Sequence, residues 1–212
     1  TSPTPQVRSL IYRTSLTPQS TPSLPLLIST TDIRTPKVTQ IHGNPNTQLV
    51  WWIEGTKEQF RISGPAHLVP SPKYFTYKEP FRYINPISLL SPTTTTTTNS
   101  KYDWEHLRIQ TFKSLSPYMK ATFCRSPSPG SPFPPNSNPI EESKKWPVKI
   151  EEPTEDIREK EKAMWNMAMR NFALVVVDPV VVDYVELGVL PNRRTVFRRD
   201  EEGGWSEEAV VP

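Results

Sequence analysis

Prolines crowd three stretches of this chain, residues 1–25, 65–92 and 126–153. Each proline fixes φ and removes a backbone donor, so no uninterrupted helix or central strand runs through such a stretch. The ordered core must be built from what lies between them. With 25 prolines against 7 glycines, the turns fall largely to proline and polar residues. Two regions read as loops without a core. "SPTTTTTTNS", residues 91–100, is a homopolymeric insertion, and "SPSPGSPFPPNSNP" (Ser126–Pro139) opens a flexible Pro/Ser-rich surface loop over 126–147.

Between the proline clusters, alternating apolar and polar residues dominate. "VRSLIYRT" (Val7–Thr14) and "LPLLIST" (Leu24–Thr30) predict two strands. Pro36 then starts a short helix with Thr35 at its cap position, and "HGNP" ends it. "QLVWWIE" and "EQFRISGPAHLV", joined by a charged turn containing Gly55, predict a β-hairpin. "DWEHLRIQTFKSLSPYMKATF" predicts one or two helices, capped by Asp103 and broken at Pro117. "PTEDIREKEKAMWNMAMRNF", acidic early and basic late, predicts another. The chain closes on four β-rich runs, "FALVVVDP", "VVVDYVEL", "RRTVFRR" and "WSEEAVV". About eight strands and three helices in one domain spanning 1–212 predict a mainly β fold. Hairpin neighbours pair antiparallel, and a curled sheet removes exposed edges, so the expected architecture is an antiparallel barrel with peripheral helices.

Charge and composition exclude several classes. A net charge of +3, from mixed acids and bases, provides no electrostatic footprint for nucleic acid. No apolar run reaches the roughly 18 residues a membrane span needs. Cys124 is the single cysteine, so no intramolecular disulfide forms, and with His42, His67 and His106 it makes no metal-ligand spacing. A reducing, cytoplasmic setting is the natural expectation. No Ser-His-Asp order and no glycine-rich phosphate loop support hydrolytic or nucleoside-triphosphate chemistry. The opening "TSPTPQV" has neither a leader nor an initiator methionine, and we read it as the loss of a front segment.

Three groups of residues have the chemistry of a site. Arg8, Arg13, Arg34 and Lys37 recur near strand ends, interleaved with the hydroxyls of Ser29, Thr30, Thr31 and Thr35. Such a set suits a phosphate monoester, which takes charge-assisted bonds and helix N-terminal amides; four solvated surface charges are the plain alternative. Gln59 and Arg61 alternate with Phe60 and Ile62, so the polar pair faces either solvent or a cleft. A glutamine offers both donor and acceptor to the edge of a planar heterocycle. Trp51 and Trp52 point to opposite faces, with a core position the safer reading for either. Lastly, Arg193, Arg194, Arg198 and Arg199 share one strand behind Tyr184, either as a basic edge that blocks pairing or with one arginine facing a ligand.

Taken in order, "VRSLIYR", "STTDIRTPKVTQI", "LVWWIEGTKEQFRISG", "SLSPYMKATF", "NFALVVVDPVVVDYVEL" and "RRTVFRRDEEGGW" resemble the pyridoxamine 5′-phosphate oxidase family of flavin-mononucleotide proteins. They cover most of residues 7–205 outside the Thr and Pro loops. The resemblance implies an antiparallel split β-barrel, FMN as cofactor, and a homodimer with FMN at its interface. It also implies a small-molecule substrate, with neither nucleic acid nor membrane as partner. Residue by residue, it implies Arg8, Ser9, Leu10 and Arg13 at the FMN phosphate and ring. Thr30 and Thr31 match a flavin-contacting pair, Lys37 a phosphate-binding lysine, and Gln59 a glutamine that contacts the flavin. Ser116, Tyr184 and Arg194 match a serine, an aromatic residue and an arginine of the site.

This sequence departs from the family pattern in three places. Pro36 stands where the family has an arginine before the lysine, which leaves Arg34 or Thr35 to supply that phosphate contact. Leu190 and Asn192 occupy the places of a substrate-gripping arginine and histidine. The family's leading helix and first strand have no counterpart here. FMN binding survives such changes better than pyridoxamine-phosphate oxidation does, so the resemblance implies an FMN-dependent oxidoreductase of undefined substrate, or else a non-catalytic FMN carrier.

Overall fold

The computed structural model of the protein describes residues 5–17, 25–72, 103–154 and 158–212; the poly-Thr stretch lies outside them. The described strands are β1 (Thr14–Leu16), β2 (Leu26–Asp32), β3 (Asn46–Ile53), β4 (Glu58–Val69), β5 (Phe172–Val177), β6 (Val181–Glu186), β7 (Arg193–Arg199) and β8 (Trp205–Val210). The helices are α1 (Pro36–Gly43), α2 (Trp104–Ser114), α3 (Pro117–Thr122), α4 (Pro139–Ser143) and α5 (Glu159–Asn171). Every strand pair is antiparallel. The sheet runs β1-β2-β5-β4-β6-β7-β8, with β3 added to β4 off that path. The result is a curled half-barrel of the split-barrel kind with helices on its outside, as the sequence predicts.

β4 makes the curl. Its first half, from Glu58, lies between β3 and β6, while Ala66–Val69 pair with β5 instead. The change of partner falls at Gly64-Pro65. There the link from β5 to β6 crosses the strand, with Asp178 N–H donating to Pro65 O (3.0 Å) and Val180 N–H to Ser63 O (2.8 Å). The crossing is so close that a Cβ on Gly64 would overlap the Asp178 carbonyl. Proline at the next position costs no ladder bond, because a corner has none to make. Arg199 of β7 grips the buried Asp178 carboxylate with both terminal nitrogens, its NH2 at 2.9 Å, and so pins the crossing from the far side.

Two apolar layers flank the β2-β5-β4 part of the sheet. On one face Leu26, Ile28, Phe172, Leu174 and Val176 meet the helices through Phe112, Phe123, Trp165 and Ala168. The Phe112 ring packs edge-on against Phe123, Trp165 and Phe172 at 5.1–6.3 Å. On the other face Ala66, Val175 and Val177 meet Ile41 of α1 and Leu49 of β3. The chain passes from α5 straight into β5, so the last helical carbonyls need outside donors. The wholly buried Arg108 supplies them, bonding Met169 O (2.8 Å) and Phe172 O (3.2 Å) while Glu105 balances its charge at 2.7 Å.

Several expectations need correction. The strand expected over Val7–Thr14 is present only from Thr14: Arg13 N–H still donates to Ile28 O (2.9 Å), but Val7 stands almost fully exposed. The helices number five among the described residues, not three, because Pro117 starts α3 and the Pro/Ser-rich region contains α4. That region is a folded element. Trp146 donates to Ser126 O (2.8 Å), stacks on Phe133 and lies under the Arg125 guanidinium. Neither Trp51 nor Trp52 is a core residue; each is 40% exposed. β7 is not an edge strand, since β8 pairs along its outer side.

The corner gives a direct test of the fold. Gly64→Ala must push the 178–180 link off β4, and we expect a loss of ~3 kcal/mol in chemical denaturation, with Gly55→Ala, which meets open space, within about 0.5 kcal/mol of the parent.

Candidate functional site

The basic residues of the first forty divide by what neutralises them. Arg34 is fully engaged by the protein. Its Nε and NH2 hold the buried Asp32 carboxylate at 2.9 and 2.6 Å, while NH1 and NH2 reach Arg125 O (2.9 Å) and Phe123 O (3.0 Å). Thr35 likewise turns inward: its hydroxyl donates to Asp32 O (2.8 Å) and makes no cap bond to α1, although Thr35 does occupy the cap position. Thr31 lies beside it, its hydroxyl within 3.4 Å of that of Thr35. These three residues form the turn that launches α1.

Arg8, Arg13 and Lys37 have no acidic partner within ion-pair distance among the described residues. Arg8 donates to the neutral Gln40 Oε1 (2.5 Å) and Arg13 to Thr30 Oγ1 (3.3 Å). The ammonium of half-buried Lys37 makes no hydrogen bond among the described residues. Burial pushes its ammonium below the usual lysine range, the like charge of Arg8 pushes it further, and Asp32 opposes this only in part. The Asp32 carboxylate cannot do more, because Arg34 already holds it. Burial lowers Arg13 in the same sense. Arg8 and Lys37, close enough to repel, and Arg13 beside Thr30 all lack an acidic partner, and burial works against the charge of Lys37 and Arg13, a burden an oxyanion would relieve. Of the neighbours, Ser9 is exposed and Leu10 half-buried.

The second predicted group lies on the hairpin that follows. Gln59 stands opposite Trp52 and Val185, and Arg61 opposite Val50 and Asp183, so all share one face of the sheet. Arg61 Nε donates to Gln59 Oε1 (2.7 Å) and its NH1 to Asp183 Oδ2 (3.4 Å). Arg194, in line with Gln59 across Val185, grips both oxygens of Asp183 at 2.8 and 2.9 Å. That fork is the first cause holding the Asp183 carboxyl below its usual range. Tyr184 points to the opposite face, stacked on Phe60 (4.7 Å) with its hydroxyl bonded to Glu58, which pushes the phenol up to about 12. Ser116 is away from both groups, exposed, its hydroxyl capping α3 by accepting from Met119 N–H (3.2 Å).

One contact that residue patterning did not reveal links the two groups. Tyr12, next to Arg13, packs on Trp51 at 4.8 Å, so the basic segment leans on the same hairpin that carries Gln59. The signal was an exposed aromatic on each side of a loop, and only the fold says that they meet. A separate cleft of about 390 Å³ lies between Thr56-Lys57-Glu58 and Glu186-Gly188-Val189. Its two carboxylates have the wrong sign for a phosphate. No group of potential metal ligands exists among the described residues, and no helix among them is long and apolar enough to cross a membrane.

With this geometry in view, residues 1–70 match the family model of the pyridoxamine 5′-phosphate oxidase FMN-binding domain. That match spans the first 70 of the 212 residues. A pyridoxamine 5′-phosphate oxidase-related, FMN-binding protein from Nostoc punctiforme is 26% identical, with a TM-score of 0.62 over 97% of this chain and 80% of its own. PhzG from Burkholderia lata, solved with tetrahydrophenazine-1-carboxylic acid, is 14% identical with a TM-score of 0.49, over 88% of this chain and 68% of its own. No curated protein matches the sequence. The family match covers Arg8, Arg13, Thr30, Lys37 and Gln59, and the Nostoc relative extends the likeness across the remaining strands.

Because Arg34 is engaged on every side, its loss should be read as damage to the fold. Arg34→Gln leaves Asp32 buried without its cation, and we expect ~3 kcal/mol of destabilisation by urea unfolding, an effect Asp32→Asn in the same chain should largely remove.

Proposed function

We propose that this protein binds FMN at the interface of a homodimer and acts as an FMN-dependent oxidoreductase on a small molecule. The observation that carries the reading is the trio Arg8, Arg13 and Lys37, a set of cations without an acidic partner within ion-pair distance, in a segment of an FMN-binding family. Phosphate would take the charge of Arg13 and Lys37 with the Thr30 hydroxyl beside them, and Arg8 would close over it from Gln40. Gln59 would meet the edge of the ring. Bound there, FMN would supply two-electron hydride chemistry. The protein side has only to hold and orient, and no side chain here needs to act as acid or base.

Support for the second copy comes from β3. Its outer edge has no ladder partner among the described strands, and Val50, Trp51, Trp52 and Ile53 are all exposed, with Tyr12 packed on Trp51. An unpaired apolar edge of this size is a surface that proteins normally cover. Turnover is less firmly supported than binding. Leu190, at the place of a substrate-gripping arginine in the family pattern, is 94% exposed and offers no charge. A non-catalytic FMN carrier is therefore the second reading.

Titration with FMN tests the binding. The wild type should turn yellow and run as a dimer, and Lys37→Ala or Arg13→Ala should weaken FMN by about tenfold or more. Affinity should rise as pH passes the second phosphate pKa of about 6. It should then fall as Lys37 loses its proton, starting below the usual lysine value of about 10.4 because its ammonium is already held low. Lys37→Arg should abolish that alkaline fall. A colourless protein that takes up no FMN ends the reading, and bound FMN with no peroxide formed from pyridoxamine phosphate selects the carrier for that substrate.

A further inference from the structure

Gln59 is an ambiguous ligand in principle, since an amide offers a carbonyl on one side and two N–H donors on the other. Its neighbour removes the ambiguity. Arg61 Nε lies 2.7 Å from the Gln59 amide, and a guanidinium is a donor with no acceptor at any position. The amide atom that meets it is therefore the oxygen, whatever else surrounds the side chain. The NH2 group must point away from Arg61.

Arg61 is itself held. Asp183 takes its NH1 at 3.4 Å, and Arg194 locks Asp183 by a two-pronged grip at 2.8 and 2.9 Å. The order is Arg194, Asp183, Arg61, Gln59, one chain of charge-assisted bonds running along a single sheet face from β7 through β6 to β4. Each link uses a fixed planar fork or carboxylate, so the orientation is passed from a rigid strand to the amide. Trp52, the cross-strand neighbour of Gln59, does not compete, because its indole N–H is bonded to Glu54 (2.5 Å).

We propose that Arg61 is a positioning residue that fixes Gln59 as a donor, so that this site takes a planar heterocycle through one of its acceptor atoms, a ring carbonyl or an imine nitrogen, and not through a ring N–H. The identity of the heterocycle as the flavin ring rests on the FMN reading above; the orientation of Gln59 does not. A donor aimed at such an acceptor favours the electron-rich, reduced ring over the oxidised one. The arginine thereby sets both affinity and reduction potential without touching the ligand.

Two measurements separate the proposal from the reading it rests on. In the ligand-free protein, the Gln59 side-chain NH2 pair, assigned by its absence in Gln59→Leu, should have NMR shifts that move and collapse toward the free-amide position in Arg61→Met. Arg61→Lys should recover them in part. An NH2 pair unchanged in Arg61→Met overturns the proposal, whether or not FMN binds. In the FMN-loaded protein, Arg61→Met should weaken FMN about fivefold and lower its midpoint potential, and Gln59→Glu, which has lost the donor, should shift the potential the same way. In a Gln59→Leu background Arg61→Met should do nothing more. Equal shifts in both backgrounds would mean that Arg61 acts by its charge alone, and the proposal fails. A wild type whose Gln59 signals respond to Arg61→Met but which binds no FMN sinks the FMN reading and leaves the orientation standing.

Discussion

The backbone crossing at Gly64 is the constraint on which the rest of the structure depends. Here the link from β5 to β6 passes β4 as closely as backbones can, and the absence of a side chain is what lets it. On one side of the crossing β4 belongs with β2 and β5 and receives the helices. On the other it belongs with β3 and β6 and presents Gln59 and Arg61. The helical core and the hairpin face are therefore two ends of a single strand, and their angle is set at one residue. Arg199 and Asp178 hold that angle through a nearly buried ion pair. Such a pair adds little net stability, but a bidentate fork between two strands allows only one arrangement of them.

Charge balance divides the neighbourhood of α1 in a similar way. Among the described residues Asp32 is the acid that bears on Lys37, and it is fully claimed by Arg34. If Arg34 were elsewhere, Asp32 would turn toward Lys37 and the basic cluster would be self-neutralised. Arg34 thus leaves the neighbouring cations available by occupying their natural partner. Arg34, which the family resemblance sets at the phosphate, is in this structure the residue that holds an acid away from Lys37.

How far the sequence goes is visible in particular residues. The hairpin around Gly55, the helix start at Pro36, the Asp103 cap and the four closing strands can all be read from alternation and turn chemistry, because these are local effects of adjacent residues. The antiparallel barrel follows from their number and spacing, and its split form from the family resemblance. What residue patterning could not give is which cation is free. Arg8, Arg13, Arg34 and Lys37 look alike on paper, and only the tertiary contacts from Phe123 and Arg125 set Arg34 apart. The same holds for Arg61: alternation placed it on the face of Gln59, but the direction of the amide depended on Asp183 and Arg194, some 120 residues further along the chain. Tyr184 and Gln59 were grouped by resemblance, and strand register places them on opposite faces.

The Pro/Ser-rich segment illustrates the opposite error, of taking composition for a lack of structure. Its start is held by Arg34 through two carbonyls and by Gly130, whose positive φ of 88° sets it against the Pro36 ring that opens α1. Its end is held by Trp146, which bonds back to Ser126 and stacks on Phe133. The segment is therefore a strap buckled at both ends across the launch point of α1. Insertions and deletions between its two fastenings only change the slack. A change of length that moves either fastening pulls on α1, and through it on Lys37, which makes the most compositionally biased described part of the chain a constraint on how its relatives can diverge.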